Sequence, residues 1–335
     1  MVQGEKMKVR LKDIADVTGF SLMTVSLALN PRKSGSRISD ETRQKIIQVA
    51  REMNYTPNMS ARILSGGRSN VVGVMFNANV DGFYSELQLR IDKALGERGY
   101  TGLYTFWRGY DEFDRALEVM RQFNVCGILT GHDGKASFPK VPVLCYGVRH
   151  DDFESIYPCE NEMIRCAVEY AVDQGYSRIG FVGQQNVGKR DCAFKSELKM
   201  RGLEEAFFSL EKRDENVSDG VTAFLESGSN CEVLIFCNDQ KAMEWMAELQ
   251  SRGIRIPEDV KVIGINNVKA CQNVTPRLTS VDFGLEKLGD ILVKRLFCKC
   301  NTTGSPREDI KLAVRIVERD SCPPKNSVAV RSNIG

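Results

Sequence analysis

The chain has few of the residues that most often build catalytic and metal sites. Its 335 residues include only two histidines, His132 and His150. Histidine-based metal sites and histidine-activated nucleophiles are therefore not expected. The dinucleotide-binding pattern Gly-x-Gly-x-x-Gly and the nucleophile pattern Gly-x-Ser-x-Gly are also missing from the sequence. We expect no enzyme activity, no metal and no cofactor.

Long apolar runs are missing as well. No stretch reaches the roughly 18 apolar residues that a membrane-spanning helix requires. The polar start, MVQGEKMKVR, lacks the apolar core of a signal peptide. All 11 cysteines follow residue 125, and an odd number without a regular framework favours reduced thiols. These features together predict a cytoplasmic protein that does not interact with membranes.

Charge is distributed unevenly between the two ends of the chain. Residues 1–70 contain 12 Lys and Arg against 6 Asp and Glu, a net charge of +6, whereas the remainder contains 34 against 38, a net charge of −4. A basic segment attached to a mildly acidic one is typical of a DNA-binding domain on a sensor or enzyme body. A solvated basic face without a nucleic-acid partner is the alternative.

Residues 11–30, LKDIADVTGFSLMTVSLALN, have the pattern of two short helices joined by a tight turn. Gly19 supplies the bend, and Ser21 is a good N-cap for the second helix. Val25 and Ala28 recur at helical spacing and can pack onto the first helix. This is the pattern of a helix-turn-helix, whose second helix enters the DNA major groove, although an ordinary helical hairpin in a small core has a similar one.

The following residues favour the first interpretation. Ser39 begins a third helix with acidic residues in its first turn, and that helix ends before Pro57. The strings LKDIADVTGFS, TVSLALN, ISDETRQKI, MNYTPN and ARIL occur in this order at the N-terminus. In this respect the chain resembles the lac repressor/galactose repressor (LacI/GalR) family of bacterial transcription factors.

The rest of the chain alternates apolar strands with amphipathic helices. Strands such as VVGVMF and RIGFVG are each followed by a helical segment, and the alternation occurs twice. This order predicts two similar α/β lobes, each a parallel sheet with helices on both faces, that follow the all-α helix-turn-helix head in the chain. Ligands of open α/β sheets bind at the carboxyl ends of the strands, so a cleft between the lobes is the expected ligand site.

The resemblance extends over this body as well, from about Val9 to Cys322. It therefore implies the domain organisation of that family. It implies a DNA-binding domain over 1–57, a hinge helix and linker over 58–68, a two-lobed effector-binding and dimerisation domain over 69–322, and a flexible tail over 323–335. The body is then similar to periplasmic sugar-binding proteins. A transport-type solute-binding protein is the alternative function, but it leaves the basic head unexplained.

One segment, Gly183–Lys189, resembles most of a phosphate-binding P-loop. That motif requires Ser or Thr after the lysine, because the hydroxyl binds magnesium, and the next residue here is Arg190. A nucleotide-using enzyme is therefore the weakest alternative, and a strand-to-helix loop at the rim of the cleft is the simpler interpretation.

The resemblance implies a dimeric repressor that binds a near-palindromic double-stranded DNA operator and is controlled by a small molecule. A sugar or sugar derivative is one candidate for that effector, and a different small molecule, or no ligand, is the alternative. The residues expected to contact DNA are Leu22, Met23, Thr24, Ser26, Leu27, Asn30, Asn58, Ala61 and Leu64. Leu64 matches the family's leucine that wedges into the minor groove, although simple packing on the body is the alternative. Leu27 replaces the family's arginine, so we expect an apolar contact in place of bidentate guanine recognition.

Further contacts to phosphates are expected from basic residues of the head, which are Lys12, Arg32, Lys33, Arg37 and Arg43. The expected effector-binding residues are Phe83, Tyr84, Lys199, Asn238, Asp239 and Asn266, with ordinary surface polarity as the alternative for each. Lys199 stands where the family has arginine, and Asn266-Asn267 replaces an Asp pair, which removes strong acceptors for sugar hydroxyls. Helices over 85–98 and 239–252 are the candidates for dimerisation.

Overall fold

The computed structural model describes residues 9–29, 38–55, 69–78, 82–132, 134–184, 189–212, 216–301 and 306–324. The chain divides into two units, Met1–Ser69 and Asn70–Gly335. The predicted boundary between hinge and body, at 68/69, falls one residue before this division. The predicted hinge and the end of the predicted tail lie largely outside the described residues.

The head contains three helices, α1 (Leu11–Thr18), α2 (Leu22–Ala28) and α3 (Asp40–Glu52). Helix α1 ends at Gly19, whose φ of 74° is the left-handed conformation that glycine adopts without strain. Ser21 and Ser39 are the N-caps of α2 and α3, and their hydroxyls accept the backbone N–H groups of residues three positions later at 3.1 and 3.2 Å. The predicted two-helix unit is therefore confirmed, including its capping residue.

A small apolar core holds the three helices together. Its buried side chains, between 0 and 5% exposed, are Ile14, Val25, Ala28, Ile46 and Ala50. They occur at helical spacing in all three helices, so each helix directs one apolar stripe inward. This arrangement fixes which side of α2 is turned away from the core.

The body consists of strands and helices in alternation. Its strands are β1 (Val71–Asn77), β2 (Thr101–Trp107), β3 (Ile128–Thr130), β4 (Val143–Tyr146), β5 (Glu154–Pro158), β6 (Ile179–Gln184), β7 (Glu205–Glu211), β8 (Val233–Phe236), β9 (Lys261–Ile265), β10 (Thr279–Asp282), β11 (Ile310–Leu312) and β12 (Arg315–Val317). Its helices are α4 (Gly82–Gly96), α5 (Tyr110–Gln122), α6 (Glu160–Asp173), α7 (Arg190–Met200), α8 (Val217–Glu226), α9 (Asp239–Ser251), a 3₁₀ turn (Lys269–Gln272) and α10 (Leu285–Asn301).

The strands form two six-stranded sheets, in the orders β11-β5-β4-β3-β1-β2 and β12-β10-β9-β8-β6-β7. Each sheet defines one lobe, and the described strands pass from one sheet to the other after β5, after β10 and after β11. The strand pairs are parallel except β10 with β12. The prediction of two doubly covered parallel lobes is confirmed, with one antiparallel edge strand added. Strand β12 is antiparallel because it enters the second sheet directly from β11, with no helix to reverse its direction.

The burial of each strand matches its position in the sheet. The central strands β1, β8 and β9 are apolar nearly throughout and are buried on both faces, as expected where helices cover a parallel sheet. The edge strands β2 and β7 are only partly buried. Within the described part of the chain, none of the helices is long and apolar enough to cross a membrane.

Candidate functional site

The face of α2 that is turned away from the head core is mostly apolar. Leu22 is 50% exposed and Met23 is 73% exposed, whereas Val25 is completely buried. Ser26 is exposed, and Thr24 and Leu27 are half-buried. All five predicted contact residues on this helix therefore have some accessible surface, and Leu22 and Met23 have more than Leu27.

The polar groups on α2 are few, and one of them is already engaged. The Thr24 hydroxyl is hydrogen-bonded to the Ser21 hydroxyl at 2.9 Å, within the N-cap. The remaining predicted DNA contacts, Asn30, Asn58, Ala61 and Leu64, lie outside the described residues.

Two of the predicted phosphate contacts are described. Lys12 is exposed on α1. Arg43 is half-buried on α3 and donates a hydrogen bond to the Ala28 carbonyl at 3.1 Å. Its guanidinium thus binds the carboxyl end of α2, where a cation also interacts favourably with the helix dipole. Arg43 orients α2, while Arg32, Lys33 and Arg37 lie outside the described residues.

In the body, two asparagines predicted to contact the effector lie at the carboxyl edge of the second sheet. Asn238 follows β8 and is the N-cap of α9, with its Oδ1 accepting the Lys241 N–H at 2.8 Å. The Nδ2 donor of the same amide takes no part in this cap. Asn266 follows β9 and has a φ of 116°, a backbone conformation that side chains other than glycine rarely adopt. Such strain persists where the surroundings enforce it, which is common at binding sites.

Asp239, predicted as an effector contact, lies in the interior of the lobe. It is completely buried, and its carboxylate accepts the Val268 N–H at 2.9 Å and the Ser280 hydroxyl at 2.5 Å. Burial raises the pKa of Asp239, and the two hydrogen bonds oppose that rise only in part. These contacts connect the start of α9 to the loop after β9 and to β10, so Asp239 positions the neighbouring Asn238 and Asn266.

An arginine at the start of α7 makes two hydrogen bonds at the same carboxyl edge of the second sheet. Arg190 donates to the Glu160 carboxylate at 2.5 Å and also to the Cys237 carbonyl, and its side chain is only 12% exposed. Glu160 begins α6, directly after the first passage between the lobes. The pair therefore joins that passage to the carboxyl end of β8, one residue before Asn238.

The first lobe contributes aromatic side chains at the start of α4. The Phe83 ring lies 5.9 Å from the ring of Phe283, a buried residue in the second passage between the lobes. The Tyr84 ring packs edge-on against Phe76 in the core of the first lobe, at 5.6 Å. Phe83 is thus the nearer of the two to the passages between the lobes.

A hydrogen bond joins this part of α4 to the second lobe, because the Glu86 carboxylate accepts the Lys269 N–H at 2.5 Å. Gly82 faces the Val268 side chain, since a Cβ added at Gly82 would lie 3.6 Å from it. The structure therefore brings Phe83 close to the loop that begins with Asn266.

Lys199 is not part of this group. It is exposed in the last turn of α7, nine residues after Arg190. At 1.5 Å per residue, that places it about 13 Å along the helix from the end that faces the carboxyl edge of the sheet. Arg190 carries a positive charge at that edge, and in the sequence its only visible feature is the departure from the P-loop pattern. Glu160 has no signal in the sequence, because an acidic residue in a first helical turn is ordinary.

All 11 cysteines lie in the described part of the chain and are free thiols. Burial raises the pKa of Cys231 and of Cys322 to about 12, which keeps these two thiols protonated. Within the described residues, no group of three or more His, Cys, Asp and Glu side chains is arranged to hold a metal ion.

Comparisons with known proteins match both units. Residues 10–58 match the family model described as bacterial regulatory proteins, lacI family, and residues 168–322 match the periplasmic binding protein-like domain. The chain belongs to the lacI family of bacterial regulatory proteins. As a lacI-family protein, it is a DNA-binding transcriptional regulator with a separate effector-binding body.

Individual relatives align with this lacI-family protein along nearly its whole length. The transcriptional repressor PurR of Vibrio atlanticus is 26% identical, with 94% of this chain and 99% of the relative covered. The ribose operon repressor of Escherichia coli is 24% identical, with 93% and 99% covered. The predicted family is therefore confirmed.

Solved structures show the same fold. The lac repressor dimer bound to operator and the anti-inducer ONPF has a TM-score of 0.81 at 22% identity, covering 94% of this chain and 99% of that chain. The complex of the transcriptional regulator CelR with cellobiose has a TM-score of 0.65 at 20% identity, covering 94% and 100%.

Proposed function

We propose that this protein is a dimeric repressor that binds a near-palindromic operator and is controlled by a small molecule bound between the two lobes of its body. The observation that carries the proposal is the exposed face of α2 on a basic head. A two-fold pair of such heads presents two recognition helices to successive major grooves, which requires two half-sites of opposite orientation.

The proposal includes the segment before the body. In the lacI family, a leucine at the position of Leu64 wedges into the minor groove, and Asn58 and Ala61 are the flanking candidates. An apolar wedge unstacks one base step and bends the duplex, so that more protein surface meets the DNA. We therefore expect the centre of the operator to contain a flexible pyrimidine–purine step.

Selection of bound duplexes from a random library tests this function. The purified full-length protein is expected to enrich a near-palindromic sequence with a flexible central step. Leu64→Ala is expected to lower affinity for that sequence, whereas Leu225→Ala, the same substitution at a 38% exposed position of α8, is expected to leave it unchanged. Failure to enrich any sequence, with and without pooled metabolites as co-ligands, contradicts the proposal.

For the effector we propose a neutral polyhydroxylated molecule, a sugar or sugar derivative. The candidate site combines an aromatic ring, Phe83, with the amides of Asn238 and Asn266. The Arg190 guanidinium at this edge is paired with the Glu160 carboxylate. Relatives named for sugar control, such as the ribose operon repressor, are consistent with this class.

Thermal unfolding with a panel of neutral sugars, sugar phosphates and purines tests the effector proposal. A ligand present at 100 times its Kd stabilises the folded state by about 2.7 kcal/mol, which is readily detected. Asn238→Ala is expected to remove the shift that the best sugar produces, and Gln240→Ala, an exposed neighbour, is expected to preserve it. A shift with charged ligands alone contradicts the neutral class. Because the proposed target is DNA, we expect the protein to act in the cytoplasm.

A further inference from the structure

The head exposes large apolar side chains although its core is complete. Leu22 and Met23 on α2 are 50% and 73% exposed, and Val17 on α1 is 63% exposed. The core residues Ile14 and Val25 are both at 0% exposure. The exposed side chains are therefore not required to fill the core, and those on α2 lie on the face that is turned away from it.

Helix α2 has almost no capacity for hydrogen-bonded base recognition. Its sequence, LMTVSLA, contains no charged side chain and no amide. Bidentate recognition of guanine requires Arg or Lys, and that of adenine requires Asn or Gln. The only polar side chains are the hydroxyls of Thr24 and Ser26, and the Thr24 hydroxyl is engaged with Ser21 at 2.9 Å.

The major groove offers one apolar group that such a face can recognise. Thymine presents its C5-methyl group there, and the other three standard bases present only polar groups and ring edges. We propose that Leu22 and Met23 read thymine C5-methyl groups of the operator, which makes them specificity-determining residues. The proposal rests on the function proposed above, because it requires that α2 enter the major groove.

In this head, the residues proposed to recognise bases and the described residue expected to bind phosphate lie on different helices. Helix α2 carries no basic residue, so attraction to phosphates must come from other segments, such as the exposed Lys12 on α1. Removing a methyl group from the DNA is therefore expected to change affinity without changing the salt dependence of binding, which counts phosphate contacts.

The test uses the duplex enriched by selection. Thymines are replaced by deoxyuridine at one position of the half-site at a time, in both half-sites together. Deoxyuridine keeps the base pairing and the charge and lacks only the methyl group. Burial of one methyl group changes affinity about fourfold, so substitution of the same position in both half-sites is expected to weaken binding about 15-fold. The slope of log affinity against log salt is expected to be the same for both duplexes.

A double variant assigns the effect to its residues. The double variant Leu22→Ala, Met23→Ala is expected to bind the thymine-containing and the deoxyuridine-containing duplex with equal affinity. Because alanine is a good helix former, the variant is expected to retain α2. Met23→Ala alone provides a second, milder variant. Val17→Ala, at an equally exposed position of α1, is expected to keep the full preference for thymine.

The possible results separate the two proposals. If the wild-type protein binds the selected operator and is insensitive to every deoxyuridine substitution, thymine-methyl recognition is overturned and the operator-binding function stands. If the preference for thymine persists in the double variant, the assignment to Leu22 and Met23 is overturned. If selection enriches no duplex, the proposed function itself fails.

Discussion

Asp239 offers the sharpest distinction between a ligand contact and a structural residue. Its buried carboxylate accepts the Val268 N–H and the Ser280 hydroxyl. A hydrogen bond contributes about 0.5–1.5 kcal/mol, and each buried donor left without its acceptor carries a penalty of about 1–3 kcal/mol. Asp239→Ala is therefore expected to lower the free energy of unfolding by about 3–5 kcal/mol. Asp239→Asn retains one acceptor oxygen and should cost less than about 2 kcal/mol.

Urea unfolding followed by tryptophan fluorescence measures these changes. The chain has two tryptophans, and Trp245 is completely buried within α9, the helix that Asp239 begins. A shared Trp107→Phe background makes Trp245 the only tryptophan reporter. Gln240→Ala, at the next and exposed position, is the matched control and should change the free energy of unfolding by less than about 0.5 kcal/mol.

The same residue predicts a pH dependence. Because burial raises the pKa of Asp239, the folded protein holds this proton at pH values where the unfolded chain, with a pKa near 3.9, has released it. Stability from this group is complete below about pH 4 and falls as pH rises toward the folded-state pKa. The wild-type protein should therefore lose stability relative to Asp239→Asn as pH rises from about 4 toward the raised folded-state pKa. A constant difference, or an unchanged midpoint in Asp239→Ala, refutes this account and returns Asp239 to the ligand site.

Three further predictions concern the head, the second lobe and self-association. Ser21→Ala removes the N-cap of α2 and should destabilise it by about 1 kcal/mol, seen as faster hydrogen exchange of α2 amides, with no such change in Ser26→Ala. Lys241→Met leaves the carboxylate of Glu211, 2% exposed and 2.9 Å from Lys241 Nζ, without its cation. That should cost about 3–5 kcal/mol in urea unfolding, and adding Glu211→Gln should recover part of it. Leu89→Asp, at a 71% exposed position on α4, should shift sedimentation from dimer toward monomer, and an unchanged dimer refutes the proposed interface.

Local features of the fold were predictable because they depend on neighbours in the sequence. The cap at Ser21 follows from a hydroxyl placed immediately before an apolar helical stripe, and the structure has the hydrogen bond to Thr24 that this predicts. The apolar run of β1 predicts a strand covered on both faces, and all but its last residue are buried. Each of these outcomes is set by chemistry within a few residues.

The candidate ligand site was harder to predict because its geometry depends on distant segments. Whether the carboxylate of Asp239 points into a cleft or into the core is decided by Val268 and Ser280, which are 29 and 41 residues away. The distance of Lys199 from the carboxyl edge depends on where α7 begins. Arg190 begins that helix, and only the folded position of Glu160 reveals its role.

The same contacts connect the candidate ligand site, at the carboxyl edge of the second sheet, to the first lobe. Asn238 and Asp239 begin α9, and Asp239 binds the N–H of Val268. The next residue in that loop, Lys269, donates its N–H to Glu86 on α4. A ligand that favours one arrangement of the loop therefore also favours one position of α4. By linkage, the state that binds the ligand better is the state that the ligand populates. Induction and corepression then differ only in which of the two states binds the operator more tightly.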